Sequence, residues 1–169
     1  LELGMHVVGY DPAISVEAAW RLSSRVKKVD SLHALLAAAD FVSLHIPANE
    51  HTQGLIDAEA FAAMREGACL LNFAREQVVD QAALVDALDS GKLRRYISDF
   101  PRPELLGKAG AVLMPHIGAS TREAEENCAV MAATQLMDFL ENGNILNSVN
   151  FPRTRMSRNS GFRLTFTNR

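Results

Sequence analysis

Two cysteines, Cys69 and Cys128, are all that this 169-residue chain contains. They lie far apart with no metal-ligand partner at short spacing, so they read as reduced thiols rather than a disulfide. Charge of one sign is also scarce. The formal net charge is −3, which leaves no basic field for nucleic acid to follow. No apolar run approaches the roughly 18 residues that a membrane span needs. No signal peptide or other targeting segment is visible, and the reducing cytoplasm is the expected compartment. No two histidines have the spacing of metal ligands, so no metal is expected. His6, His33 and His51 fall at a strand start, on a helix and in a loop, and carry no assigned chemistry. Internal repeats and low-complexity tracts are absent too.

What is present is an ordinary globular composition, 48% hydrophobic and 22% charged, in a length that suits one domain with its own core. Short apolar runs alternate with helical patterns. Strands are expected over residues 5–10, 26–29, 41–46, 68–72, 95–98 and 112–114. Helices are expected over 16–25, 31–39, 57–64 and 80–90, with a longer one from the capping-box spacing Ser120 to Glu123 as far as about 140. This alternation predicts an α/β fold, a Rossmann-like doubly wound parallel sheet covered on both faces. Ligands of such sheets bind beyond the carboxyl ends of the strands. Asp11, His45 to Pro47, Asn72 to Arg75, Asp99 and Pro115 to Gly118 each follow an apolar run, so one sheet would present them along one edge.

The two ends of the chain read as cuts. Leu1-Glu2-Leu3-Gly4 resembles the last turn of a helix closed by glycine. A phosphate-binding Gly-x-Gly-x-x-Gly would lie about 20 residues before Asp11 and falls outside the chain. The first strand and the Gly-rich loop are therefore expected to be missing, and the chain alone is expected to be inactive for want of a pyrophosphate cradle. Residues 153–161 read as a polar, basic linker. Alternation over 162–169 reads as a strand with no partner in the remaining sequence.

Four residues could carry chemistry. Asp11, after a strand, can accept hydrogen bonds from a ribose diol and repel a 2′-phosphate, or can simply cap the Asp-Pro turn. Arg75 can hold a carboxylate by two parallel hydrogen bonds, or be a solvated loop charge. His116, between Pro115 and Gly118, can move a proton near neutral pH, or be structural. Glu104, in Pro101-Arg102-Pro103-Glu104, can orient an imidazole or be a surface acid.

In this order, Gly9-Tyr10-Asp11-Pro12, Asp40-Phe41-Val42-Ser43-Leu44-His45-Ile46-Pro47, Asn72-Phe73-Ala74-Arg75 and Pro115-His116-Ile117-Gly118-Ala119-Ser120-Thr121 resemble the D-isomer-specific 2-hydroxyacid dehydrogenases over about residues 1–152. The resemblance implies NAD as cofactor and a small 2-hydroxy acid as substrate. Residues 96–106 and 125–152 resemble the branch of that family that oxidises 3-phosphoglycerate at the entry to serine synthesis. Glycerate, lactate or formate on the same machinery, or a non-catalytic dinucleotide-binding co-repressor, remain alternatives. The implied catalytic set is Arg75, Glu104 and His116. Arg75 would bind and polarise the acid, His116 would take the hydroxyl proton, and Glu104 would tune His116.

The resemblance also implies a cofactor site. Tyr10, Asp11 and Pro12 would hold the adenosine ribose. His45, Pro47, Phe73, Ala74, Arg75, His116 and Gly118 would line the cleft, and Asp99 would bond the carboxamide. It divides the chain into an NAD-binding domain (1–141), a return segment toward a substrate domain (142–152), the linker, and the start of a regulatory ACT domain (162–169). A homo-oligomer is implied, with the long helix near the interface or in the internal core. Glu76 stands where the family usually has Gly. It would be strained if that backbone needs a positive φ, and its charge would oppose an anionic substrate.

Overall fold

The computed structural model describes residues 1–118, 120–157 and 161–162. The chain divides into two compact units, Leu1–Ile117 and Gly118–Arg169. In the first, strands and helices alternate: β1 (Val7–Gly9), α1 (Val16–Trp20), β2 (Val26–Lys28), α2 (Leu32–Ala38), β3 (Phe41–Leu44), α3 (Ala58–Ala63), β4 (Ala68–Asn72), α4 (Gln81–Asp89), β5 (Leu93–Ser98) and β6 (Ala111–Leu113). Two 3₁₀ turns, Glu76–Val78 and Pro103–Leu105, follow β4 and β5. The helices begin where a short polar side chain takes up an orphan backbone N–H. Ser15, Ser31, Asp57 and Asp80 accept from the amides of Ala18, Ala34, Ala60 and Ala83.

Strands β3, β4, β5 and β6 form one parallel sheet in that order. The register sets Ser43 beside Leu71, Leu71 beside Ile97, and Ile97 beside Val112. β4 is buried at every position but Leu71, as a strand covered on both faces must be. The core is built on Leu36, Ile56, Leu70, Val78, Leu84, Leu93 and Leu105, all fully buried. Burying each such side chain contributes about 1.5–3 kcal/mol.

The α/β class and the parallel pairing agree with the sequence reading, but the single sheet does not. Among the described residues β1 pairs only with β2, and this two-stranded parallel sheet is separate from the four-stranded one. Periodicity shows that a strand exists. It does not choose the neighbour, which must lie about 4.8 Å away to share a ladder. Some elements are also shorter than expected. α1 stops at Trp20, and β3 stops at Leu44, short of Pro47, whose nitrogen has no hydrogen to donate.

The second unit carries α5 (Arg122–Asn142). Thr121, not Ser120, is its N-cap: its backbone is extended and its hydroxyl accepts from the Ala124 amide at 3.2 Å. Glu123 and Glu125 lie in the first turn, where negative charge meets the positive end of the helix dipole. Gly143 ends the helix at φ 66, its amide donating to the Phe139 carbonyl, a left-handed cap that glycine adopts without a Cβ penalty. No described residue of α5 is buried. Val130, Met131, Leu136, Met137, Phe139 and Leu140 are exposed, so they do not form an internal core here. Beyond the helix, Ile145 and Thr154 exchange two backbone hydrogen bonds of 2.8 and 3.0 Å. Of the strand expected over 162–169, all but Phe162 lies outside the described residues.

Candidate active site

Parallel, adjacent strands put all their carboxyl ends on one rim. The rim therefore carries, in order, His45 after β3, Arg75 after β4, Asp99 after β5 and His116 after β6. Asp11, with Tyr10 and Pro12, follows β1 in the other sheet.

The Arg75 loop is held from beneath. Asn72 is completely buried. Its Nδ2 donates to the Arg75 carbonyl at 2.9 Å and to the Tyr96 hydroxyl at 3.3 Å, and its Oδ1 accepts from the Ala74 amide at 3.1 Å. The backbone is thus pinned while the side chains of Phe73 and Arg75 stay exposed. The Arg75 guanidinium donates through Nη1 to the Ala74 carbonyl at 2.6 Å. An open cleft of about 320 Å³ lies between the ends of β3 and β4, lined by Leu44, His45, Ile46, Pro47, Phe73, Ala74 and Arg75. His45 Nε2 is 2.9 Å from the Ser43 hydroxyl.

His116 has φ 60, in the left-handed region. Its neighbours hold it there. The Met114 amide donates to the Ser98 carbonyl at 2.8 Å, and the Ile117 amide donates to Oδ1 of the buried Asp99 at 2.8 Å. The exposed imidazole packs edge-on against Phe100, with ring centroids 5.1 Å apart. A non-glycine residue kept in this conformation by buried partners is the kind of outlier that concentrates at functional sites.

Glu104 sits in the turn Pro103–Leu105, anchored by the buried Leu105, with its own side chain exposed. Among the described residues no hydrogen bond or ion pair joins Glu104 to His116 or Arg75. Glu76 begins the other 3₁₀ turn and is not among the residues with positive φ. The strain expected there is therefore absent, because the backbone at this position is helical. Its carboxylate pairs with Arg102, Oε2 to Nε at 3.4 Å.

A family model described as D-isomer specific 2-hydroxyacid dehydrogenase, NAD binding domain, matches residues 1–118. The chain belongs to this family. It is 38% identical over 170 residues to D-3-phosphoglycerate dehydrogenase of Haemophilus influenzae, an alignment covering 94% of this chain and 40% of that one. It is 36% identical over 173 residues to the protein of the same name in Escherichia coli, covering 96% and 41%. Among solved structures, D-2-hydroxyisocaproate dehydrogenase matches with a TM-score of 0.71 at 30% identity, over 85% of this chain and 48% of that one. The holo form of Rhodotorula graminis D-mandelate dehydrogenase matches with a TM-score of 0.69 at 34% identity, over 82% and 41%. The chain spans about two fifths of the length of these curated relatives.

NAD is the cofactor that this dehydrogenase domain is described as binding, and the residues present fit it in part. One oxygen of the exposed Asp11 carboxylate accepts from the Ala13 amide at 2.9 Å, so the residue does cap its turn. Its second oxygen is unengaged among the described residues and can accept from a hydroxyl. The cleft beside His45, Pro47, Phe73 and Ala74 has mixed apolar and polar walls that suit a flat polar ring. Asp99, expected to face a carboxamide, spends Oδ1 on the Ile117 amide. Gly118 belongs to the second unit. The sequence reading passed over three residues that touch the candidate site: Tyr96, Phe100 and Arg102. An aromatic in an apolar strand reads as core, and an arginine between prolines reads as solvated loop. Only the fold brings them to Asn72, His116 and Glu76.

Proposed function

We propose that this chain is the cofactor-binding part of an NAD-dependent oxidoreductase that acts on small 2-hydroxy acids, with 3-phosphoglycerate as its substrate. The observation that carries the reading is a cation and an imidazole, each on a firmly held backbone, at the ends of strands of one sheet. Arg75 and His116 follow two strands of the same parallel sheet, and each is fixed by a buried polar residue, Asn72 or Asp99.

Removing hydrogen from a secondary alcohol needs a fixed cation beside the acid and a base for the hydroxyl proton. Arg75 grips the substrate carboxylate and polarises the oxygen at the reacting carbon. His116 takes the hydroxyl proton on oxidation and returns it on reduction. Glu104 favours the protonated imidazole when the site is complete. Asp11, flanked by Tyr10 and Pro12, holds the adenosine ribose. His45, Pro47, Phe73 and Ala74 line the cofactor cleft, and Asp99 keeps the His116 segment in place. NAD, when held there, would supply the hydride acceptor.

The names of the relatives at 36% and 38% identity support 3-phosphoglycerate. A place in L-serine synthesis and in the cytoplasm, a homo-oligomer and a C-terminal ACT domain belong to the same reading. A non-catalytic relative would have drawn support from strain at Glu76, and Glu76 has none. The test is NADH formation by the intact protein with 3-phosphoglycerate, glycerate and D-lactate in parallel. A clear preference for 3-phosphoglycerate supports the reading. A protein that binds NAD and oxidises none of the three overturns it.

A further inference from the structure

Glu76 directly follows Arg75. The two are neighbours in the chain, so the Glu76 carboxylate can come within reach of whatever the Arg75 guanidinium holds, and its field extends over roughly 8 Å in physiological salt. A bare negative charge at that distance opposes an anionic substrate, and it competes for the guanidinium itself. The structure deals with this charge in another way. Glu76 Oε2 lies 3.4 Å from Nε of Arg102, and Glu76 Oε1 accepts from Nε2 of Gln77 at 3.5 Å. Arg75 donates to the Ala74 carbonyl instead.

Glu76 is less exposed than the acids of two other ion pairs, 43% against 82% for Glu66 and 62% for Asp89, while Arg102 at 28% is as part-buried as their partners Lys92 and Lys108 at 22% and 19%. Arg102 is also well anchored. Its carbonyl accepts from the Leu105 amide at 3.0 Å, and Leu105 is buried. The pair joins the 3₁₀ turn after β4 to the 3₁₀ turn after β5.

We propose that Arg102 is a positioning residue that determines anion affinity. By pairing with Glu76 it neutralises the carboxylate beside Arg75 and leaves the Arg75 guanidinium for the substrate. This rests on the role given to Arg75 in the proposed function. It accounts for an acid at a position next to a substrate-binding cation, and it assigns the loop after β5 a share in substrate affinity.

The test compares Arg102→Leu, Glu76→Gln and the double variant in the intact protein. Arg102→Leu exposes the charge, so KM for the 2-hydroxy acid rises about fivefold, the upper range for a part-exposed ion pair, while kcat at saturation changes less. Raising the salt to about 0.5 M shrinks the increase. Adding Glu76→Gln removes the charge and returns KM toward the parent value. A merely mechanical tether would stay broken in the double variant, so a double variant as impaired as Arg102→Leu overturns the proposal.

A second readout needs no turnover. Phenylglyoxal modification of Arg75 in the ligand-free protein, followed by mass spectrometry, slows in Arg102→Leu and recovers in the double variant. Identical Arg75 labelling in all the proteins also overturns it. If labelling follows the expected pattern in a protein that oxidises no 2-hydroxy acid, the charge pairing stands and the proposed function falls.

Discussion

The side-chain amide of Asn72 donates to the backbone carbonyl of Arg75 across 2.9 Å, from a position with no solvent exposure. The cation on the rim is thus located by a polar group in the core. Asn72→Ala removes three hydrogen bonds and leaves the Arg75 carbonyl, the Ala74 amide and the Tyr96 hydroxyl without this partner. Stability should fall by about 2–4 kcal/mol, given roughly 1–3 kcal/mol for each buried group left unsatisfied. Tyr96→Phe should cost about 1 kcal/mol. Urea unfolding of the two variants measures both; a Tyr96→Phe loss as large as that of Asn72→Ala would contradict this division of roles.

His116 should separate activity from stability. Its ring is exposed and packs edge-on against Phe100, so His116→Asn should leave the melting temperature within a few degrees. Asn tolerates a φ of 60 better than most residues. Activity of the intact protein should fall by about 10²–10⁴, the range for loss of a positioned acid–base group. His116→Val should in addition lower stability by about 1–3 kcal/mol, because a β-branched residue resists this backbone.

Asp11→Ser keeps an oxygen able to accept from the Ala13 amide and removes the charge. NADH affinity of the intact protein, followed by the fluorescence of the reduced nicotinamide, should weaken about 10- to 100-fold, as for loss of a charged hydrogen bond. NADPH should weaken less or improve, since the repulsion of a 2′-phosphate goes with the carboxylate. Equal losses for both dinucleotides would remove Asp11 from the ribose site.

Gly110 sits where the turn into β6 passes over β5. Its φ is 86, and an added Cβ would lie 3.1 Å from the Arg94 carbonyl oxygen and 3.1 Å from Leu88 Cδ2. Gly110→Ala should destabilise the chain by about 1–3 kcal/mol, since overpacking and a left-handed backbone act together. A differential scanning experiment would register this as a clear drop in melting temperature. An unchanged transition would mean that the β5–β6 junction relaxes freely.

Local chemistry was readable from the sequence, and pairing was not. The run Ala68 to Asn72 defined β4 to the residue, because a five-residue apolar stretch bounded by a polar end has few other uses. The helices expected over 31–39 and 57–64 begin at the residues that cap them, Ser31 and Asp57. That His45, Arg75, Asp99 and His116 share one edge was legible from the alternation, and their order along it came only with the strand pairing. Three things depended on contacts distant in sequence. The separation of β1–β2 from the main sheet is a matter of neighbours. The union of Glu76 with Arg102 spans two loops. The grip of Asn72 on Tyr96 spans two strands. The left-handed turn at His116 was hidden as well, since Pro115 and Gly118 only showed that the chain bends there.

The division of the strands into two ladders leaves β1, β2, β3 and β6 each with one flank that no described strand occupies. Such flanks are rows of amides and carbonyls that other backbones can complete, and Phe41 on β3 and Val112 on β6 add apolar side chains to them. Prepared alone at high concentration, the chain should therefore self-associate edge to edge. Dilution, or a short peptide able to add as a strand, would be the means of keeping it dispersed.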